Sequence, residues 1–318
     1  MQFDLTADQR DVLERARAFA QREVAPLARE ADERGEFPLH LVPRMGELGF
    51  LAGPIEPEWG GAGLDYVSFA LVYEELGRVD SSVRGFLAVH AGLVSLCIRD
   101  WGSEEQKRQY LPRLASGEWI GCYCLTEPNA GSDAASMETT AREEEDCWVL
   151  NGEKIWITNG NIADVAIVFA TRDPTARHRG ICAFLIPTDL PGFRREQMPG
   201  QELGHRASDH ARIILDECRA PKRGANGVTP LLGAPGEGFR VAMSALDHGR
   251  LGVAAGAVGV AQACLDACIE FARNRRQFGQ RIADFQMIQA TLADMAANVE
   301  AARLLVYRAA WMKQEGLP

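Results

Sequence analysis

Apolar and polar positions follow two different periods along this chain, and the change of period divides it into thirds. In the first third apolar residues recur every three or four positions: Val12, Ala16 and Phe19 follow Thr6-Ala7-Asp8-Gln9, the spacing of a capping box. The spacing predicts a helix that ends near Pro26 or shortly beyond, a break over 35–38, and further helices over 39–48, 65–77, 84–101 and 104–114. Segment 54–63, rich in glycine and proline, reads as a loop. After Gly117 the runs shorten. Segments 148–150 and 153–158 flank Asn151-Gly152 and read as a hairpin, because Asn-Gly suits a type I′ turn. Three further strand-like runs, 165–170, 181–187 and 211–215, are separated by Gly, Pro and Asp. Beyond Pro235 the helical period returns over 238–273 and 282–314, the second with Met287, Ile288, Leu292, Met295 and Val299 on one face. The expected class is α+β and multidomain: an N-terminal α-helical domain (1–117), a central antiparallel β domain (118–222) built as a small barrel or sandwich, and a C-terminal helical bundle (223–318). Only two long helices of that bundle are present, and their apolar faces need partners.

Composition narrows the function. The chain is 47% hydrophobic and 25% charged, ordinary for a soluble globular protein. Its net charge of -10 argues against nucleic acid as a partner, yet leaves room for a phosphorylated ligand that needs a few local cations. No GxGxxG follows a strand, which argues against a nucleotide-binding parallel sheet. Met1-Gln2-Phe3-Asp4 lacks the pattern of a signal peptide, and the apolar runs 85–98 and 251–265 are too short to cross a bilayer, so no membrane and a cytoplasmic location are expected. Cys122 with Cys124, and Cys264 with Cys268, read as small buried apolar residues. The six histidines are dispersed, so no metal is expected.

Two segments carry candidate chemistry. Tyr123-Cys124-Leu125-Thr126-Glu127-Pro128-Asn129-Ala130-Gly131-Ser132-Asp133 offers the hydroxyls of Thr126 and Ser132 and a bend that bares backbone N–H groups. Trp156-Ile157-Thr158-Asn159-Gly160 places an aromatic face and a hydroxyl two residues apart, on one side of a strand. A planar isoalloxazine needs that pairing of a stacking surface with polar partners for its ring heteroatoms. Asp247 and Arg250, three apart, share a helix face, which by itself reads as an intrahelical ion pair.

With these motifs in this order, the chain resembles the acyl-CoA dehydrogenase family from Leu5 to Gly316, and most nearly its short-chain (butyryl) and glutaryl branches. The resemblance implies FAD as cofactor, held between the β domain and the bundle and across a subunit interface of a homotetramer. Tyr123, Leu125 and Thr126 would lie against the flavin, Ser132 would meet both cofactor and acyl-CoA, and Trp156, Ile157 and Thr158 would flank the ring. Arg275-Arg276-Gln277-Phe278-Gly279 resembles the family's Arg-x-x-Phe-Gly element. It implies that Arg275, Phe278 and Gln286 reach the FAD of a neighbouring subunit; taken alone, the stretch reads as a solvated helix end. Asp247 and Arg250 would meet coenzyme A.

The implied reaction is α,β-dehydrogenation of an acyl-CoA thioester, with hydride passing to flavin N5 and electrons to an electron-transfer flavoprotein. It needs a glutamate base, which the family carries at one of two places. At the first this sequence has Gly249; the second lies in a region it does not contain. No catalytic residue is therefore identified in the chain. A base beyond Pro318 is expected, the other reading being a truncated relative that cannot dehydrogenate. Arg84, in Val79-Asp80-Ser81-Ser82-Val83-Arg84, stands where the glutaryl branch has an arginine for a distal carboxylate, and Ser136-Met137-Glu138-Thr139 adds to that match. Leu246 to Gly252 looks more like the butyryl branch. A short straight acyl chain is the first expectation; the alternatives are a glutaryl-CoA dehydrogenase acting by oxidative decarboxylation, or a flavin-free acyl-CoA binding protein on the same scaffold. A flavin monooxygenase of this fold is a further option.

Overall fold

The computed structural model describes residues 4–198, 202–224 and 227–317; the outer ends of the expected first and last domains, 1–3 and 318, lie outside them. Seven helices come first: α1 (Ala7–Phe19), α2 (Ala25–Arg34), α3 (Leu41–Glu47), α4 (Tyr66–Val79), α5 (Ser81–Leu87), α6 (Leu96–Trp101) and α7 (Glu104–Ser116). Strands follow: β1 (Gly121–Cys124), β2 (Thr140–Glu143), β3 (Cys147–Thr158), β4 (Val165–Thr171), β5 (Ile181–Pro187), β6 (Phe193–Gln197), β7 (His210–Pro221) and β8 (Leu231–Leu232). Then come α8 (Gly238–Asn274), a small hairpin of β9 (Arg276–Gln277) and β10 (Gln280–Arg281), and α9 (Gln286–Gln314). The chain divides into two compact units, each built from separated stretches of sequence.

One unit comprises Met1–Arg29, Asp65–Arg84 and Leu251–Pro318. Its first helix starts from the predicted capping box, Thr6 and Gln9 exchanging two hydrogen bonds at 3.2 and 3.0 Å. The helical run continues past Pro26 to Arg34 and breaks over 35–38, as expected. A π turn over Ala20–Val24 carries the chain into α2, so Pro26 sits in the opening turn of a new segment, where a missing N–H disturbs the ladder least. Helix α4 packs on α1 and α9. Glycines let α8 approach α4 closely: a Cβ on Gly259 would fall 2.0 Å from the carbonyl oxygen of Glu74. Along α9, Val299 is buried and Ile288, Leu292 and Met295 are half-buried, whereas Met287, expected on the same face, is 84% exposed in the first turn.

The other unit, Glu30–Leu64 with Gly85–Arg250, holds a sheet in the order β6-β7-β3-β2-β4-β5-β8, with β1 beside β4. Most pairs are antiparallel; β1–β4 and β2–β4 are parallel. The expected hairpin at Asn151-Gly152 is instead a bulge inside one twelve-residue strand, β3, whose register against β7 shifts between Leu150 and Gly152. The Asn151 side chain trades two 2.8 Å hydrogen bonds with Glu217, and Gly152 takes a φ of 151° close against Thr139. Asn-Gly bends this strand rather than reversing it.

Six cysteines are buried, Cys122 and Cys124 among them, but Cys264 and Cys268 are exposed on α8, contrary to expectation. Helical spacing put them on one face, and nothing in the described chain covers it. Two helical stretches, Ser81–Trp101 and Gly238–Asn274, are long and apolar enough to cross a bilayer by length and composition; the predicted runs are parts of these longer helices, and the first is mostly buried in protein.

Candidate functional site

Strand β1 feeds the first candidate segment, and His90 fixes where it begins. One ring nitrogen of this buried histidine lies 2.9 Å from the Leu114 carbonyl and the other 3.3 Å from the Gly121 N–H. Burial pushes its pKa down to about 4, so the ring is neutral. Tyr123 turns into the core. Its hydroxyl donates to the Ala242 carbonyl at 3.1 Å, its ring lies 5.0 Å from that of Phe169, and burial raises its pKa well above the ordinary value. Leu125 is also buried, so a ligand would meet the backbone of these two residues. Thr126 is half-buried and Ser132 exposed. Between them, Glu127 and Ala130 exchange backbone hydrogen bonds at 3.1 and 3.2 Å, which closes the predicted bend.

The second segment starts at an irregularity. The register of β3 against β7 shifts again between Lys154 and Ile157, and Trp156 there has a φ of 57°. The strand alternation that was expected to align Trp156 with Thr158 is therefore broken by a bulge. The indole is half exposed and lies edge-on to His210, ring centres 6.3 Å apart. Ile157 is buried and Thr158 half-buried. Asn159 ends the segment with its side-chain amide donating to the carbonyls of Phe86 and Gly121, at 3.4 and 3.3 Å. A cavity of about 290 Å³ opens beside Trp156, lined also by Met198, Arg206 and Ser208, whose buried hydroxyl has no hydrogen-bond partner among the described residues.

The two segments are joined by a pair that sequence reasoning missed. Lys154 on β3 is fully buried 2.7 Å from the Glu127 carboxylate. Burial alone would raise the Glu127 pKa, but the lysine cation and backbone N–H groups hold it below the usual carboxylate range. Burial lowers the Lys154 pKa against the pull of the same carboxylate. In the sequence Lys154 stands beside Glu153 and looks like an ordinary exposed residue, so no local signal marked the pair.

Asp247 and Arg250 form the intrahelical ion pair on α8, both side chains exposed. Gly249 lies between them, where a Cβ would come 2.8 Å from Cδ2 of Leu93. In the other unit, Arg84 is half-buried and meets no carboxylate among the described residues. Beside it, the buried Tyr73 hydroxyl has no hydrogen-bond partner among the described residues. Burial lowers the Arg84 pKa and raises that of Tyr73. Arg275, Phe278 and Gln286 are all exposed. They do not form a frayed helix end: Phe278 and Gly279, at φ of 53° and 77°, turn the β9–β10 hairpin, and Phe278 is 92% exposed.

Among the described residues, no hydrogen bond engages the hydroxyls of Thr126, Ser132 or Thr158. Uncommitted hydroxyls near an exposed aromatic face fit a planar heterocycle with polar edges, such as a flavin. No group of His, Cys, Asp or Glu among the described residues could hold a metal ion.

Three family models cover most of the chain: the acyl-CoA dehydrogenase N-terminal domain matches residues 6–118, the middle domain 122–218 and the C-terminal domain 236–318. The rat mitochondrial short-chain specific acyl-CoA dehydrogenase is 44% identical over 95% of this chain and 72% of its own length. A structure from work on the electron transferring flavoprotein of Acidaminococcus fermentans and flavin-based electron bifurcation superposes with a TM-score of 0.95 at 42% identity, covering 100% of this chain and 82% of that one. A Mycobacterium smegmatis glutaryl-CoA dehydrogenase in complex with FADH2 gives 0.91 at 37% identity, covering 99% and 78%. The chain belongs to the acyl-CoA dehydrogenase family.

Proposed function

We propose that this member of the acyl-CoA dehydrogenase family is a soluble, cytoplasmic enzyme that oxidises a short-chain acyl-CoA between Cα and Cβ, with FAD as cofactor and an electron-transfer flavoprotein as electron acceptor. The half-exposed Trp156 carries this reading, with the uncommitted hydroxyls of Thr158 on its own strand and of Thr126, whose carbonyl accepts the N–H of the adjacent Ile155 at 2.9 Å. Bound there, FAD supplies the hydride acceptor. Thr126 and Thr158 hold the ring by its polar edge, Trp156 shields it from water, and the backbone of Tyr123, Leu125 and Ile157 completes the wall. Ser132 serves cofactor and thioester alike. Arg250 exchanges its exposed partner Asp247 for the phosphates of coenzyme A, an exchange that costs little at a solvated pair. Arg275, Phe278 and Gln286, exposed on their own chain, contact FAD in a second copy within a homotetramer. Position 249 supplies no carboxylate to take the Cα proton.

A second reading has one observation in its favour. Arg84 and the Tyr73 hydroxyl are partly or wholly removed from water with no anion beside them among the described residues, and an unpaired buried cation is costly. The distal carboxylate of a dicarboxylyl-CoA such as glutaryl-CoA would satisfy both, with decarboxylation following oxidation.

Anaerobic visible titration separates the readings. A yellow protein bleached by butyryl-CoA supports the first; selective bleaching by glutaryl-CoA supports the second. A protein that takes up no FAD yet binds acyl-CoA is a binding protein on this scaffold.

A further inference from the structure

Lys154 has no exposed side-chain surface, and Glu127 has 2%. Besides meeting Glu127 at 2.7 Å, the Lys154 ammonium donates to the Leu125 carbonyl at 3.2 Å. Glu127 in turn accepts the backbone N–H groups of Glu138 and Thr139. One residue along β3, the Ile155 N–H donates to the Thr126 carbonyl at 2.9 Å. Thr126 is thus fixed on both flanks and through its own carbonyl to the strand that bears Trp156 and Thr158. Stability is a poor explanation for such a pair, because apolar residues of similar volume serve a core as well or better. A fixed geometry is a good one, since fully satisfied buried polar networks rigidify what they connect.

We infer that Lys154 and Glu127 are positioning residues, which lock the Thr126 and Thr158 hydroxyls into one frame for the flavin ring and so set its affinity and its electronic surroundings. The inference rests on the flavin reading above. Neither side chain touches the ring; both act through the segments they join.

The test is the double variant Glu127→Gln/Lys154→Met, which removes both charges together and leaves no lone buried ion. Its melting temperature is expected to stay within about 5 °C of the parent. Its FAD dissociation constant is expected to rise roughly tenfold or more, with the visible flavin bands and midpoint potential shifted. Parent-like FAD affinity and spectrum in that variant would overturn the inference. If the double variant does not fold, Glu127→Asp decides: the charges remain but the arm shortens, so a shifted spectrum in a stable protein supports positioning and an unchanged one refutes it. Loss of FAD that merely follows loss of thermal stability in these variants also refutes it. A parent protein that binds no FAD overturns the flavin reading itself, and this inference with it.

Discussion

His90 accepts the backbone N–H of Gly121 at 3.3 Å while its other ring nitrogen meets the Leu114 carbonyl at 2.9 Å, so one neutral imidazole joins the end of α7 to the start of β1. Its pKa is about 4 in the folded protein against an ordinary 6.5. Between those values the unfolded chain binds the proton and the folded one does not, so stability is complete above pH 6.5 and falls as pH drops toward 4. The loss is on the order of 3 kcal/mol. Urea unfolding at stepped pH checks this, and His90→Gln should flatten the slope over that window. An equally steep slope in the variant would assign the acid sensitivity to other groups.

Gly256 lets Arg84 lie across α8: a Cβ there would come 2.7 Å from Cδ and 2.8 Å from Nε of the arginine. The obstructed atoms belong to a flexible side chain, so Gly256→Ala should fold, its helix propensity gaining about 1 kcal/mol against the crowding. The guanidinium must move. If it receives a substrate carboxylate, KM for glutaryl-CoA rises several-fold while KM for butyryl-CoA changes little. Equal effects on both would remove Arg84 from substrate recognition.

Glu74 accepts from Nε of Arg303 at 2.8 Å and from the Tyr307 hydroxyl at 2.9 Å, with little of either ionic side chain exposed. Glu74→Ala leaves the arginine without that partner and should cost about 3 kcal/mol in urea unfolding. A loss below about 1 kcal/mol would show that water reaches the pair.

Arg275 is exposed, and its variant tests assembly rather than folding. Arg275→Ala should weaken FAD binding at least several-fold and shift the light-scattering mass below that of a tetramer, lowering the melting temperature only by the stabilisation that cofactor and assembly supply. Unchanged FAD affinity would place the Arg275–Phe278 hairpin outside the cofactor site.

Asn151-Gly152 shows why part of the fold was not legible beforehand. The same dipeptide serves a type I′ turn or a bulge, and the choice depends on whether a distant strand stands opposite. Here Glu217 on β7 meets the Asn151 side chain, and Thr139 fills the space that only glycine leaves. Likewise Pro26 reads as the end of a helix, but a π turn over Ala20–Val24, with the Ala25 N–H on the Ala20 carbonyl, leads straight into a further helix.

What the sequence determined by itself was local and periodic: the Thr6–Gln9 cap, the two long C-terminal helices, the strand-rich middle, and the hydroxyls and indole of two short segments. Those features depend on neighbours within a few residues, which propensity and spacing record. The tertiary structure alone decided which polar groups end up without water. Lys154 and Glu127 stand 27 residues apart, and an ordinary exposed pair has the same letters. Only the closing of β3 over the Leu125–Glu127 segment removes solvent from both, and that desolvation turns two surface-type residues into a buried tie between the candidate flavin segments.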